Sequence, residues 1–364
     1  MNAAPWFSEA EEVVWLRVGD ALPSAARREG SGLARRIGLS AHRASEIELA
    51  LTEAATNLQR HAVDGALALR LVRTRDRAAV EFLALDSGPG IADVPHALTD
   101  GSSTRGTLGV GLGAIARLAD DFDIHSLPGR GTALSARFWS GPAHAGRPAG
   151  ASPAVEASGL TRPISGEEVC GDTWAVRGVP GDTHEDTVVL ALMCDGLGHG
   201  PQAARAGEAA RTAFRETTAT GPQGVLVDLH RALRATRGAA VAVARVDAEE
   251  GTVDFCGVGN ISAFLVGDTR TALLSSPGIV GHQLPRLRSA RHRLERGSVL
   301  VMHSDGLSDR WAPADFPGLF GRGASVIGAQ LLQQTGVRRD DAGVLTAKVV
   351  RRPPERRAPE GLSP

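Results

Sequence analysis

Residues 300–309 read LVMHSDGLSD, an apolar run that stops abruptly on an Asp-Gly pair. Residues 188–200, VVLALMCDGLGHG, do the same: a strand-like segment delivers a carboxylate into a turn that begins on glycine. Two more stretches follow this logic. EEVCGDTWAVRG (167–178) places Asp172 in a loop before an alternating strand, and GVRRDDAGVLTAKVV (336–350) places Asp340 and Asp341 at the start of the last strand. Taken singly, an Asp-Gly pair is most often a hairpin turn. Four carboxylate positions at separate strand ends are instead what a pair of hard divalent cations requires. Oxygen ligands suit Mg2+ or Mn2+, and no His/Cys cluster argues for zinc. Such ions activate a water and steady phosphate oxygens in an in-line displacement.

The bulk properties set the frame. A chain of 364 residues exceeds one ordinary domain, so two are expected. With 40 Lys+Arg against 41 Asp+Glu the formal net charge is -1, which gives no reason to expect a nucleic-acid or membrane partner. Cys170, Cys194 and Cys256 show neither disulfide nor metal spacing and read as small buried residues in a reducing cytoplasm. The start, MNAAPWFSEAEEVV, is acidic where a signal peptide would be basic, and no apolar run has the length of a membrane span. The expected location is therefore cytoplasmic. No internal repeat is visible. WSGPAHAGRPAGASPAVEASGL (139–160) has the composition of a flexible linker, and RRPPERRAPEGLSP (351–364) that of a disordered tail. The resulting division is a domain at 12–139, a linker at 140–160, a domain at 161–350 and a tail at 351–364.

In the first half Ser40 can cap a helix running to about Ala62, with Ile47, Leu51, Ala54 and Leu58 at core spacing. Glu53, Asn57 and His61 fall four apart on another stripe of that helix. Two strand-like runs follow, ALALRLVR and AAVEFLAL, and the second leads into DSGPG (86–90). A carboxylate at a strand end, backed by glycines, can accept a hydrogen bond from an exocyclic amine while backbone approaches a flat ring. GTLGVGLGAIARLADDF (106–122) then opens a helix whose N-terminal amides favour phosphate. Each piece alone is weak; the glycine run lacks the Gly-Lys-Ser/Thr of a P-loop.

The ordered series, E-x-x-x-N on a helix, strand, DxGxG, loop, GxGLG, resembles the GHKL-type ATP-binding fold over residues 12–139. With only about forty residues ahead of the Glu53 helix, a sensor histidine kinase, which needs an upstream phospho-acceptor helix pair, is not expected. LTDGSSTRGTLGVGLGAIARLADDFDIHSLPGRGTALSARFW (98–139) is more similar to the RsbT-like switch kinases, which phosphorylate STAS-domain proteins. That resemblance implies Mg2+ on the ATP phosphates held by Asn57, Glu53 as base for the attacking hydroxyl, and Asp86 reading adenine. Gly88, Gly90, Gly109, Gly111, Leu112 and Gly113 would shape the pocket, with Ser103 and Thr104 in a lid spanning 102–105. His61 is expected to be a packing or helix-end residue.

The four aspartate stretches in the order GD, DGxGxG, SDG, DD resemble the SpoIIE and RsbX branch of the metal-dependent (type 2C) protein phosphatases over residues 161–350. That resemblance implies two Mn2+ or Mg2+ ions held by Asp172, Asp195, Gly196, Asp305 and Asp340, with Asp341 behind them. The family often has Thr shortly after its DD pair, where this chain has Gly343. Asn260 receives no role, His199 is expected to line the cleft, and the basic stretch RLRSARHRLERG (286–297) to be a solvated face. The fold expected is α+β: a GHKL-type α/β sandwich followed by an αββα sandwich. The function implied is a partner-switching regulator that phosphorylates and dephosphorylates Ser/Thr of a STAS-type anti-sigma antagonist or stressosome protein. A sigma factor or a downstream phosphatase would be further partners. The alternative is a phosphatase whose first half only binds ATP and gates attachment of a sigma factor or STAS protein.

Overall fold

The computed structural model describes residues 7–9, 13–74, 77–99, 111–141, 154–179, 187–337 and 339–350. After strand β1 (Phe7–Glu9), the first half runs β2 (Val14–Arg17), α1 (Leu22–Arg36), α2 (Ala41–His61), β3 (Ala66–Arg73), β4 (Ala78–Asp86), α3 (Val94–Ala97), α4 (Gly111–Leu118), β5 (Asp121–Leu127) and β6 (Gly131–Trp139). Its antiparallel sheet has the order β2-β3-β4-β6-β5. Ser40 caps α2 as expected, its hydroxyl accepting from the Arg43 amide at 3.2 Å. Ile47, Leu51, Ala54 and Leu58 are buried against Leu67, Leu69, Phe82 and Phe138 of the sheet.

The second half runs β7 (Val155–Arg162), β8 (Asp172–Gly178), β9 (Val188–Gly196), α5 (Pro201–Glu216), α6 (Pro222–Leu233), β10 (Ala239–Asp247), β11 (Thr252–Val258), β12 (Ser262–Val266), β13 (Arg270–Leu273), β14 (Ala290–Arg293), β15 (Val299–His303), α7 (Ala324–Thr335) and β16 (Ala342–Val349). Two antiparallel sheets, β1-β8-β9-β10-β11-β14 and β13-β12-β15-β16-β7, face each other across a core holding Val176, Ala191, Met193, Phe255, Met302 and Leu345. Helices α5 and α6 cover the outer face of the first sheet, and α7 covers the outer face of the second. This is the mixed helix-and-sheet architecture expected. No described helix is long and apolar enough to cross a membrane.

The halves are not merely tethered. Ala68, Leu83, Leu85 and Ala133, on the open face of the first sheet, share one cluster with Val326, Ile327, Leu331 and Leu332 of α7. Helix α7 therefore lies between two sheets, one from each half, and every residue from Ala324 to Leu332 is buried. Its first amides are held from both sides: Asp123 accepts from Gly323 N at 2.7 Å and Glu156 from Ala324 N at 2.9 Å. Carboxylates at a helix N-terminus satisfy orphan amides and oppose the dipole.

A buried ionic network completes the contact. Glu81 accepts from Arg70 Nε and Arg137 Nε, each at 2.6 Å, and from Ser135 Oγ at 3.0 Å. Arg70 reaches on to Ser158 Oγ at 2.9 Å and to the Gly159 carbonyl in β7. Arg137 donates to Ser325 Oγ of α7 at 2.5 Å.

The expected linker is accordingly shorter than its composition suggests. Val155–Leu160 belong to β7, which pairs in register with β16 from Val155↔Val349 to Arg162↔Ala342. Small residues here are sheet residues: Gly159 sits where an added Cβ would meet the Trp174 ring at 2.4 Å. Residues 142–153 and the expected tail lie outside the described residues.

Candidate nucleotide and metal sites

In the first half, α2 presents Glu53 and Asn57 half-buried beside its core stripe. Strand β4 carries Asp86 to its end, where Oδ1 accepts from Gly88 N at 2.7 Å. Burial pushes the Asp86 carboxyl up, while the Gly88 and Thr132 amides and His61 pull the other way. The loop after Asp86 fits tightly under the end of α2. Ser87 N donates to Val63 O at 2.8 Å, and a Cβ on Gly88 would stand 2.7 Å from His61 O. Gly90 has φ +68°, and a Cβ there would lie 2.1 Å from Leu127 O, so glycine is required twice over. Helix α4 begins at Gly111, where a Cβ would meet no atom of the described residues within 4 Å, whereas Gly113 passes so close to Leu98 O that a Cβ would stand at 2.5 Å. Leu112 packs against the apolar core of this half. Ser103, Thr104 and Gly109, together with the whole expected lid, lie outside the described residues.

In the second half two of the strand-end aspartates stand side by side. Asp172 opens β8 and Asp195 stands opposite it near the end of β9 as a Cα pair. Asp172 is buried; its Oδ2 accepts from Ser304 Oγ at 2.5 Å, while its Oδ1 is buried without a hydrogen-bond partner. Burial first, and then the neighbouring Asp195 charge, push the Asp172 carboxyl well above the ordinary range. Asp195 is pushed up to about 7 by burial and by Asp305, Asp340 and Asp341. Asp305 is raised by burial and by Asp340, and steadied by Asn260 Nδ2, which donates to Oδ2 at 2.7 Å.

Asp341 does structural work at the same place. Its two oxygens accept from Ile164 N and Gly171 N, each at 2.7 Å, which pins the loop leading into Asp172. Gly196 cannot carry a side chain, because a Cβ would meet Ala203 O at 2.4 Å. His199 faces Glu167 with Nδ1 3.1 Å from Oε1.

Among the described residues no three His, Cys, Asp or Glu side chains converge as a finished metal-binding group. The donor chemistry nevertheless fits a hard cation. Ionised carboxylates are acceptor-only; Asp195 raises the proton affinity of Asp172, Asp305 and Asp340 raise that of Asp195, Asp340 raises that of Asp305, and one buried Asp172 oxygen lacks any donor. The three cysteines are free, with Cys194 and Cys256 buried and Cys170 partly so.

Two residues at this site receive no role from the sequence. Ser304 precedes Asp305 in the opening stretch, and its hydroxyl also accepts from Gly343 N at 3.0 Å. Asn260 follows the glycine of GVGN (257–260), a pattern visible in sequence but without a partner until β12 and β15 pair. A Cβ at Gly343 would sit 2.4 Å from Met193 Cε, the movable end of a flexible side chain, and 3.0 Å from Asp172 Cβ, so a larger residue there crowds Asp172.

Residues 20–138 match the family model of the histidine kinase-like ATPase domain, and residues 185–350 that of stage II sporulation protein E, SpoIIE. Asp172 lies ahead of the second match. Over 115 residues the chain is 36% identical to the serine/threonine-protein kinase RsbT of Bacillus subtilis (strain 168), which covers 32% of this chain and 86% of RsbT. Over 145 residues it is 23% identical to the phosphoserine phosphatase RsbX of the same organism, covering 39% of this chain and 70% of RsbX. A solved structure, "The bacterial stressosome: a modular system that has been adapted to control secondary messenger signaling", shares 32% identity over 53% of this chain and 99% of that one, with a TM-score of 0.48.

Proposed function

This chain belongs to the histidine kinase-like ATPase family through its first half and to the SpoIIE phosphatase family through its second, and from that premise we propose that it sets the phosphorylation state of a partner protein in both directions. The architecture is that of a partner-switching regulator, an RsbT-like domain joined to an RsbX/SpoIIE-type phosphatase domain. The proposed substrate is a Ser/Thr of a STAS-type protein in the cytoplasm.

The observation that carries the phosphatase reading is the crowded carboxylate site with its unpartnered Asp172 oxygen. Asp172, Asp195, Asp305, Asp340 and the Gly196 carbonyl would hold Mg2+ or Mn2+, which supplies an activated water and neutralises phosphate oxygens. Ser304 and Asn260 orient two of those carboxylates, and Asp341 fixes the loop beneath them.

In the first half, Asn57 would hold Mg2+ at the ATP phosphates and Asp86 would accept from the adenine amine. Glu53 would take the proton of the attacking hydroxyl as its oxygen bonds to the terminal phosphorus and ADP leaves.

The test uses one STAS-domain substrate, Asp305→Asn and Glu53→Ala variants of the full chain, and phosphopeptide mass spectrometry. The first variant should accumulate phosphoserine or phosphothreonine, and the second should only remove it. If no phosphate ever appears, the first half is instead an ATP-gated binding module for a sigma factor or STAS protein. That alternative draws support from the tight docking of the first half on α7.

A further inference from the structure

Asp64 is the one non-glycine residue among those described with a positive φ, +58°. It lies in the short connection between α2 and β3, and its carbonyl accepts from Gln333 Nε2 at 3.1 Å. The same nitrogen donates to Ser87 Oγ at 3.0 Å. Ser87 is the residue between Asp86 and Gly88, and Gln333 comes from the last turn of α7, in the other half of the chain. Its neighbour Gln334 donates through Nε2 to Arg130 O at 2.8 Å. Gly129, beside Arg130, donates to Pro89 O at 2.7 Å. One turn of α7 thus grips both sides of the loop that begins at Asp86.

The next residues grip the Asp305 loop. Ser308 N donates to Thr335 O at 2.9 Å, Val337 N donates to Gly306 O at 2.7 Å, and Leu307 bridges Gly336. Gly306 follows Asp305 directly and is wedged so that a Cβ would stand 1.9 Å from Asp341 O. Five consecutive residues, Gln333 to Val337, therefore touch the candidate nucleotide loop on one side and the candidate metal loop on the other.

We propose that Gln333 is a positioning residue for the nucleotide loop, contributed by the phosphatase half, and that the end of α7 couples nucleotide binding to the order of the Asp305 loop. The proposal rests on the nucleotide reading of the Asp86 loop. Nucleotide against Asp86 fixes Ser87 and the left-handed Asp64; these fix Gln333, and the turn it ends holds Gly306 and Ser308. Because coupling free energies are reciprocal, whatever orders the Asp305 loop tightens nucleotide by the same factor. Gln333 is only half-buried, so its role is not to fill the core.

The experiment uses the full chain at constant Mg2+, with ADP as probe, in wild type, Gln333→Ala and Gln333→Glu. Calorimetry reads ADP affinity, and amide hydrogen exchange reads Ser308 and Val337. ADP should slow exchange at both amides in the wild type. Both variants should lose that slowing, bind ADP about fivefold more weakly, and melt at the wild-type temperature. ADP binding that leaves both amides unchanged in the wild type, or slows them equally in the variants, overturns the coupling alone. A wild type that binds no ADP overturns the nucleotide reading and this inference with it.

Discussion

Asp172 and Asp195 face each other as a cross-strand pair on β8 and β9; burial and the Asp195 charge push the Asp172 carboxyl up, while burial, Asp305, Asp340 and Asp341 push Asp195 up. Crowded carboxylates, one of them buried, are a conflict that a bound cation would relieve.

The first expectation follows from that conflict. Asp195→Asn should be more stable than the wild type in chelator, by about 1–3 kcal/mol. It should also lose both phosphatase activity and the rise in melting temperature that Mn2+ gives the wild type. Melting curves with EDTA and with Mn2+ read this directly. A wild type that melts identically in both would remove the metal assignment.

Ser304 offers a second check. Its hydroxyl is the donor to Asp172 Oδ2 and the acceptor for Gly343 N. Ser304→Ala should cost about 1–3 kcal/mol, the range for leaving buried polar groups short of a partner, and should raise the Mn2+ needed for half-maximal hydrolysis. Gly343→Thr should also raise that Mn2+ requirement, because once the flexible Met193 Cε moves aside its Cβ still presses on Asp172 at 3.0 Å. A Gly343→Thr enzyme with an unchanged Mn2+ requirement would show that Asp172 does not feel the contact.

The junction between the halves predicts a pH dependence. Burial alone would raise the Glu81 carboxyl, but the Arg137 and Arg70 charges outweigh it and hold it down at about 2 against an ordinary 4.5. A depressed carboxylate contributes stability that is complete above its unfolded value and lost as pH falls toward the folded one. Unfolding free energy should therefore drop between about pH 4.5 and pH 2 more steeply in the wild type than in Glu81→Gln. Glu81→Ala, which strands two buried guanidiniums, should cost about 3–5 kcal/mol. Denaturant titrations across that range measure both effects.

The nucleotide site makes the fourth. Asp86→Asn replaces an acceptor-only group with one that must also donate, so affinity for Mg-ATP should fall roughly tenfold or more, the worth of a hydrogen bond to a charged group. Asn57→Ala should weaken binding only while Mg2+ is present. Calorimetry with ATP, with and without Mg2+, separates the two; unchanged affinity in both variants would dismiss the site.

What the sequence determined by itself was local or strongly patterned. Ser40 and the spacing of Ile47, Leu51, Ala54 and Leu58 specify α2, because capping and a 3.6-residue period are properties of a contiguous segment. The strand-end aspartates could be picked out in sequence only as a set of four, since a single Asp-Gly pair is most often a hairpin turn. Only the tertiary structure decided what each side chain meets. Val155–Leu160 look like linker because their partner strand β16 arrives much later in the chain. Glu81, Arg70 and Arg137 are charges inside apolar strands, and nothing near them in sequence announces Ser158, Gly159 or Ser325 as their partners. Helix α7 shows the limit most plainly. ASVIGAQLLQQT is apolar on nearly every side, which tells of burial, but not that one sheet from each half does the burying. That choice depends on the shape and charge of two surfaces that exist only once both sheets have formed.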